Sequence, residues 1–150
     1  MTLNRRSVLA GLGAGASLAL LPIPVVAQDH DDRTRAAIEA ILDGRSAEEG
    51  GITIDVPRSA ENGAQVALTI SVDSPMTADD HVTRIHIVTP ENPRHGSGVF
   101  HLTPALARAE VATRIRLADT QRFLVFAEHS DGRVAQAGAE VIVAIGGCVT

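Results

Sequence analysis

From Ile52 onward the chain alternates apolar and polar residues in short runs broken by turn residues, and this period of two constrains its fold more than any other feature. Ile52, Ile54 and Val56 alternate with polar neighbours as far as Pro57, and Asn62-Gly63 signals a turn. Val66, Leu68, Ile70 and Val72 share one face, opposite Gln65, Thr69 and Ser71. Asp73-Ser74-Pro75-Met76-Thr77 interrupts. Thr83, Ile85 and Ile87 then alternate with Arg84 and His86, and a loop follows at Asn92-Pro93. A short strand is expected over 99–102. Val111, Thr113, Ile115 and Leu117 line up opposite Ala112, Arg114 and Arg116. The nearly continuous apolar run 123–128 reads as a central strand, because a strand covered on both faces loses its alternation. Ser130-Asp131-Gly132 turns the chain into a last strand over Val134–Ile145. Before all of this, residues 32–43 read as a helix, with Ala36, Ala37, Ile38, Ala40, Ile41 and Leu42 as its stripe and Gly44 as its stop. The piece 45–51 is a polar connector. Seven or so closely spaced strands after one helix, with no strand–helix alternation, predict an all-β protein built as an antiparallel β-sandwich.

The N-terminus reads as something else. Asn4-Arg5-Arg6-Ser7-Val8-Leu9 places paired arginines before an apolar stretch over 8–27, which closes on Val25-Val26-Ala27. A charged start, an apolar middle and small residues at the cleavage point make an export signal, and adjacent arginines point to the twin-arginine route. Gly11, Gly13, Gly15, Pro22 and Pro24 make that stretch a poor permanent membrane helix. The expected organisation is a signal peptide over 1–27, a helix-plus-sandwich domain over 28–145 and a C-terminal arm over 146–150, with the mature protein in the periplasm. Cleavage removes two arginines and no acid, so the mature chain is more acidic than the formal −5 of the whole sequence. Such a chain, with 2% aromatic residues, lacks the basic face and stacking rings that nucleic acid requires.

Export gives meaning to the one cysteine. In an oxidising compartment cysteines usually pair, and Cys148 has no mate within the chain. It stands third from the end, behind Gly146 and Gly147, on a tether that reaches about 10 Å beyond Ile145 when extended. A prenylation box would need the cysteine one place earlier. An activated nucleophile needs a base held against it, which a flexible tail does not provide. Cys148 therefore makes sense as a thiol that visits active sites supplied by other proteins, which is a non-catalytic carrier. A secreted module tethered by an intermolecular disulfide through Cys148 is the alternative.

The remaining polar residues carry less. His81 and His86 are five apart, on opposite faces of one continuous strand, so no metal is expected there. Asp79-Asp80 alone supplies too few ligands for calcium. Arg114 and Arg116 share a strand face that is either solvated or a partner contact. No cofactor motif appears.

Val72-Asp73-Ser74-Pro75-Met76-Thr77-Ala78-Asp79-Asp80-His81-Val82, Ile85-His86-Ile87, Asn92-Pro93, Thr113-Arg114-Ile115-Arg116-Leu117-Ala118, Ser130-Asp131-Gly132 and Gly146-Gly147-Cys148 occur in an order and spacing that resembles the SoxY family of bacterial thiosulfate oxidation. The twin-arginine leader fits the same family. The resemblance implies an immunoglobulin-like sandwich that forms a heterodimer with a SoxZ-like subunit. It also implies that Cys148 carries sulfur intermediates covalently, on an arm formed by Gly146 and Gly147. A c-type cytochrome would conjugate thiosulfate to the thiol, a hydrolase would release sulfate, and, where present, a dehydrogenase would oxidise the sulfane sulfur. The family arm typically ends Gly-Gly-Cys-Gly-Gly, whereas here Val149-Thr150 follow the cysteine; β-branched residues are stiffer, which leaves room for a SoxY-like carrier of another cargo.

Overall fold

Each period-two run becomes a strand, and the one without alternation lies at the centre of the larger sheet. The computed structural model describes the backbone of residues 25–146 and the side chains of 31–146 apart from Ser97. The elements in chain order are α1 (Val25–Leu42), β1 (Ala47–Glu49), β2 (Ile52–Asp55), β3 (Ser59–Asn62), β4 (Val66–Val72), β5 (Val82–Val88), β6 (Gly96–His101), β7 (Ala109–Ile115), β8 (Gln121–His129) and β9 (Val134–Ile145). A six-stranded sheet runs β1-β9-β8-β5-β6, with β3 also on β9, and a three-stranded sheet runs β2-β4-β7.

The two sheets share one core. Val66, Leu68, Ile70 and Val72 of β4 pack with Ile85 and Ile87 of β5, Phe123, Val125 and Ala127 of β8, and Val141 and Val143 of β9. Ile52 and Ile54 of β2 close it from the side. Fully burying an aliphatic or aromatic side chain of this size contributes about 1.5–3 kcal/mol, so this alternation is the main stabilising element of the fold.

The outer face of the larger sheet is covered by α1. Ile38, Ile41 and Leu42 pack on Val88, Phe126 and Val134, with Leu124 beside them. β8 is thus covered on both sides, which explains its continuous apolar run. The helix stops where Asp43 (φ 46°) and Gly44 (φ 76°) turn left-handed. Arg45 then caps the open end: its Nε donates to the Leu42 carbonyl at 2.8 Å and its Nη2 to the Ile41 carbonyl at 2.9 Å. The helix begins at Val25 rather than at 32 and so runs through the expected cleavage point.

Four further features depart from the sequence expectation. β1 lies inside the stretch read as a connector, and β3 is a strand the pattern did not reveal. Both pair parallel to β9, at Ala47↔Val134 and Ser59↔Ile142, so the larger sheet is mixed rather than purely antiparallel. The physical reason is recruitment: β9 is twelve residues long and pairs with β8 only as far as Val141, leaving backbone groups along its other edge for any extended segment to satisfy. Asn62-Gly63 does turn the chain, with Asn62 Oδ1 accepting from the Ala64 amide at 2.8 Å, but it carries the chain from one sheet to the other instead of closing a hairpin.

Ile70→Ala, at a fully buried position, is expected to cost about 3 kcal/mol through lost burial and a residual cavity. Val99→Ala, at a side chain 50% exposed on β6, should stay within about 0.5 kcal/mol. Urea titration of the two variants checks this, and equal losses would place the core elsewhere.

Candidate functional site

The cysteine-bearing segment follows the end of β9, and that end is tightly built. The Gly63 amide donates to the Ile145 carbonyl at 2.8 Å, and the Leu117 amide donates to the Gly63 carbonyl at 2.8 Å. This stitches the last residue of β9, the turn after β3 and the loop after β7 into one unit. That loop is held in turn by Asn92, which is 6% exposed. Its Nδ2 donates to the Arg116 carbonyl at 2.7 Å, and its Oδ1 accepts from the Ala118 amide at 2.9 Å and from Gln121 Nε2 at 3.0 Å. Gln121 Oε1 accepts from the Glu91 amide at 3.1 Å. On the opposite side the Val143 amide donates to Thr120 Oγ1 at 2.9 Å. Gly146 lies against this loop, half-buried beside Ala118.

Of the residues assigned to the arm from sequence, Gly146 is described here, whereas Gly147 and Cys148 lie outside the described residues, as does the Arg5-Arg6 leader. Asn92 was legible only as a loop residue. Nothing in one sequence distinguishes an asparagine that hydrogen-bonds two loops together from one that merely turns.

A second polar cluster, absent from the sequence reading, lies on the outer face of the larger sheet at the end of α1. The Glu128 side chain, 5% exposed, accepts from His86 Nε2 at 2.6 Å and from Arg45 Nη2 at 2.9 Å, and lies 3.2 Å from Arg84 Nε. Burial by itself raises the pKa of Glu128. The hydrogen bonds from His86 and Arg45 and the charges of Arg84 and Arg45 outweigh it and hold the carboxyl below its ordinary value. Arg45 is the pivot, since one guanidinium binds both the helix carbonyls and Glu128. With Ala40, Ile41 and Asp43 these residues line an open cleft of about 320 Å³. The cluster holds the helix end to the sheet.

The histidines are placed apart. His86 binds Glu128, whereas His81 lies in the loop before β5 with Nδ1 3.0 Å from the Thr77 carbonyl oxygen. Among the described residues, no three His, Cys, Asp or Glu side chains are grouped to hold a metal ion. Arg114 is exposed and donates to Gln65 Oε1 at 3.3 Å. No described helix is long and apolar enough to cross a membrane.

The fold defines a two-sheet β domain that occurs in proteins of different activity. It is similar to superoxide reductase (neelaredoxin) from Ignicoccus hospitalis, with a TM-score of 0.55 at 16% identity over 63% of this chain and 80% of that one. It is similar also to a putative superoxide reductase from Thermotoga maritima, with a TM-score of 0.56 at 12% identity over 65% and 93% of the two chains. At such identities the likeness concerns the fold alone. The sulfur carrier protein SoxY from Chlorobium limicola f thiosulfatophilum matches with a TM-score of 0.63 at 31% identity, over 77% of this chain and 99% of that one. The family model of the sulfur oxidation protein SoxY matches residues 38–148, and the chain belongs to that family. No curated protein sequence matches it.

The Glu128 cluster sets a pH dependence. Because the folded carboxyl titrates below its ordinary value of 4.5, its stabilisation is complete above that pH and is lost as the pH falls through the lower folded value. Glu128→Gln should cost about 2 kcal/mol at neutral pH, less than a fully buried pair because Arg45 and Arg84 are partly solvated. The difference from wild type should shrink as the pH falls below 4.5. Denaturation of both proteins across that range checks it, and a pH-independent difference would mean that the charge contributes nothing.

Proposed function

We propose that this chain is a periplasmic sulfur carrier, exported by the twin-arginine pathway, that holds thiosulfate-derived sulfur covalently on Cys148 and presents it to partner enzymes. The observation that carries this reading is the family match, which extends through the C-terminal glycines to Cys148 itself. The two sheets are read as an immunoglobulin-like sandwich and the residues after β9 as the arm. The carrier performs no catalysis of its own. A neutral thiol with an ordinary pKa near 8.5 is a few per cent thiolate at neutral pH, and the partners supply the chemistry.

In the loading step the Cys148 thiolate and thiosulfate lose two electrons to a c-type cytochrome and form a new S–S bond, leaving Cys–S–S–SO₃⁻. In the release step water attacks the terminal sulfonate sulfur at a hydrolase, giving sulfate, two protons and Cys–S–S⁻. A sulfane dehydrogenase, where present, oxidises the remaining outer sulfur. A SoxZ-like subunit is the standing partner. Ile142 and Ile145, at the C-terminal end of β9, are exposed large apolar side chains that such a subunit would cover.

Reduced protein incubated with thiosulfate and the conjugating cytochrome should gain one reductant-labile thiosulfate adduct by intact mass. Cys148→Ser should keep its stability within about 0.5 kcal/mol yet gain none, because a neutral hydroxyl is a far weaker nucleophile. An unchanged wild-type mass, or an adduct on the serine variant, would remove Cys148 as the carrier.

A further inference from the structure

Two kinds of glycine stand out among the described residues. Gly44, Gly50, Gly51 and Gly132 have positive φ and open space where a Cβ would be, so they are glycines for conformational reasons. Gly146 is the reverse. Its φ is not positive, but a Cβ there would lie 2.0 Å from the Ala118 carbonyl oxygen. That atom is backbone and has no rotamer by which to move aside. The two peptides just before it are held by the Asn92 side chain, through the Ala118 amide at 2.9 Å and the Arg116 carbonyl at 2.7 Å. Gln121, 4% exposed, supports Asn92 from behind at 3.0 Å. The adjoining Ile145 carbonyl is tied to Gly63, and Gly63 to Leu117. Gly146 is therefore seated against a braced loop.

We infer that Gly146 is a positioning residue, the fixed root of the arm, and that Asn92 and Gln121 act through the Ala118 backbone to set where and in which direction the Cys148 segment leaves the fold. This inference rests on the carrier reading. Its consequence is a shorter lever: two residues separate the root from Cys148, a reach of about 7 Å when extended. With so short a lever, the exit direction governs whether the thiol arrives within reacting distance in a partner's site, where a 1 Å misplacement can cost about 100-fold. A substitution at Gly146 should thus impair delivery to an enzyme while leaving the thiol itself reactive.

The experiment uses the mature chain with its partner subunit and compares wild type with Gly146→Ala. Cys148 is the only cysteine of this chain, so every thiol adduct found on this chain by mass reports on it. Alkylation by a small reagent should proceed within about twofold of the wild-type rate, while loading with thiosulfate by the conjugating cytochrome should slow about tenfold or more. Loss of both rates together, or loading within twofold of wild type, would overturn the inference. Backbone ¹⁵N relaxation of the wild-type protein decides it even where the alanine variant fails to fold. The Gly146 amide should show the order parameter of rigid backbone, about 0.85, and a value below about 0.6 would overturn the fixed root. A wild-type protein that is never loaded would refute the carrier reading instead, and the relaxation result would still decide whether Gly146 is seated.

Discussion

Coverage of β8 on both faces is the constraint on which the rest of the structure depends. Phe123, Val125 and Ala127 enter the core between the sheets, while Leu124 and Phe126 lie under α1. The strand therefore needs both a second sheet and a helix before its apolar surface leaves water. Once it has both, its neighbours are positioned too: β5 and β9 flank it, β6 continues from β5, and the free edge of β9 collects β1 and β3. At the end of this strand the pattern changes from apolar to ionic. Glu128 faces the same side as Phe126, where an isolated carboxylate would be costly, and His86, Arg45 and Arg84 compensate it. The helix end and the sheet are thereby joined by burial along most of their contact and by charge at its margin.

The opposite end of the molecule is built on hydrogen bonds. Asn92, Gln121 and Thr120 use side-chain groups to brace a loop that has no ladder of its own, and β9 ends against it. A loop satisfied in this way is held in place without being apolar. The neelaredoxin-like structures show that the same β domain occurs with quite different names and at low identity. The fold alone therefore does not assign a function, which has to be argued from the residues of the site.

The parts legible in the sequence were those where one residue's chemistry decides its environment. β4 alternates cleanly because one face is core and the other is solvent, and the bounds of β9 agree with its pattern. β1 and β3 were not legible, since Ala-Glu-Glu and Ser-Ala-Glu-Asn carry no alternation and become strands only because β9 offers unpaired backbone. The same holds for the ionic cluster. Arg45, Arg84, His86 and Glu128 are scattered over more than eighty residues of sequence, and only the β5–β8 register and the packing of α1 on the sheet bring them together. At the C-terminus the sequence marked Gly146 as conformational freedom, whereas its surroundings show a close approach to Ala118. A glycine needed for space and one needed for a torsion angle look identical in a single sequence.

Whether Cys148 carries sulfur in an exported protein can be read from the intact mass of the chain purified from its native cells under non-reducing conditions. Export and carriage together predict a mass that begins at Gln28 and carries additional sulfur, as sulfane atoms or a sulfonate, which reductant removes. A mass that retains Met1, or a Gln28 chain whose Cys148 is unmodified while thiosulfate is being oxidised, would contradict it.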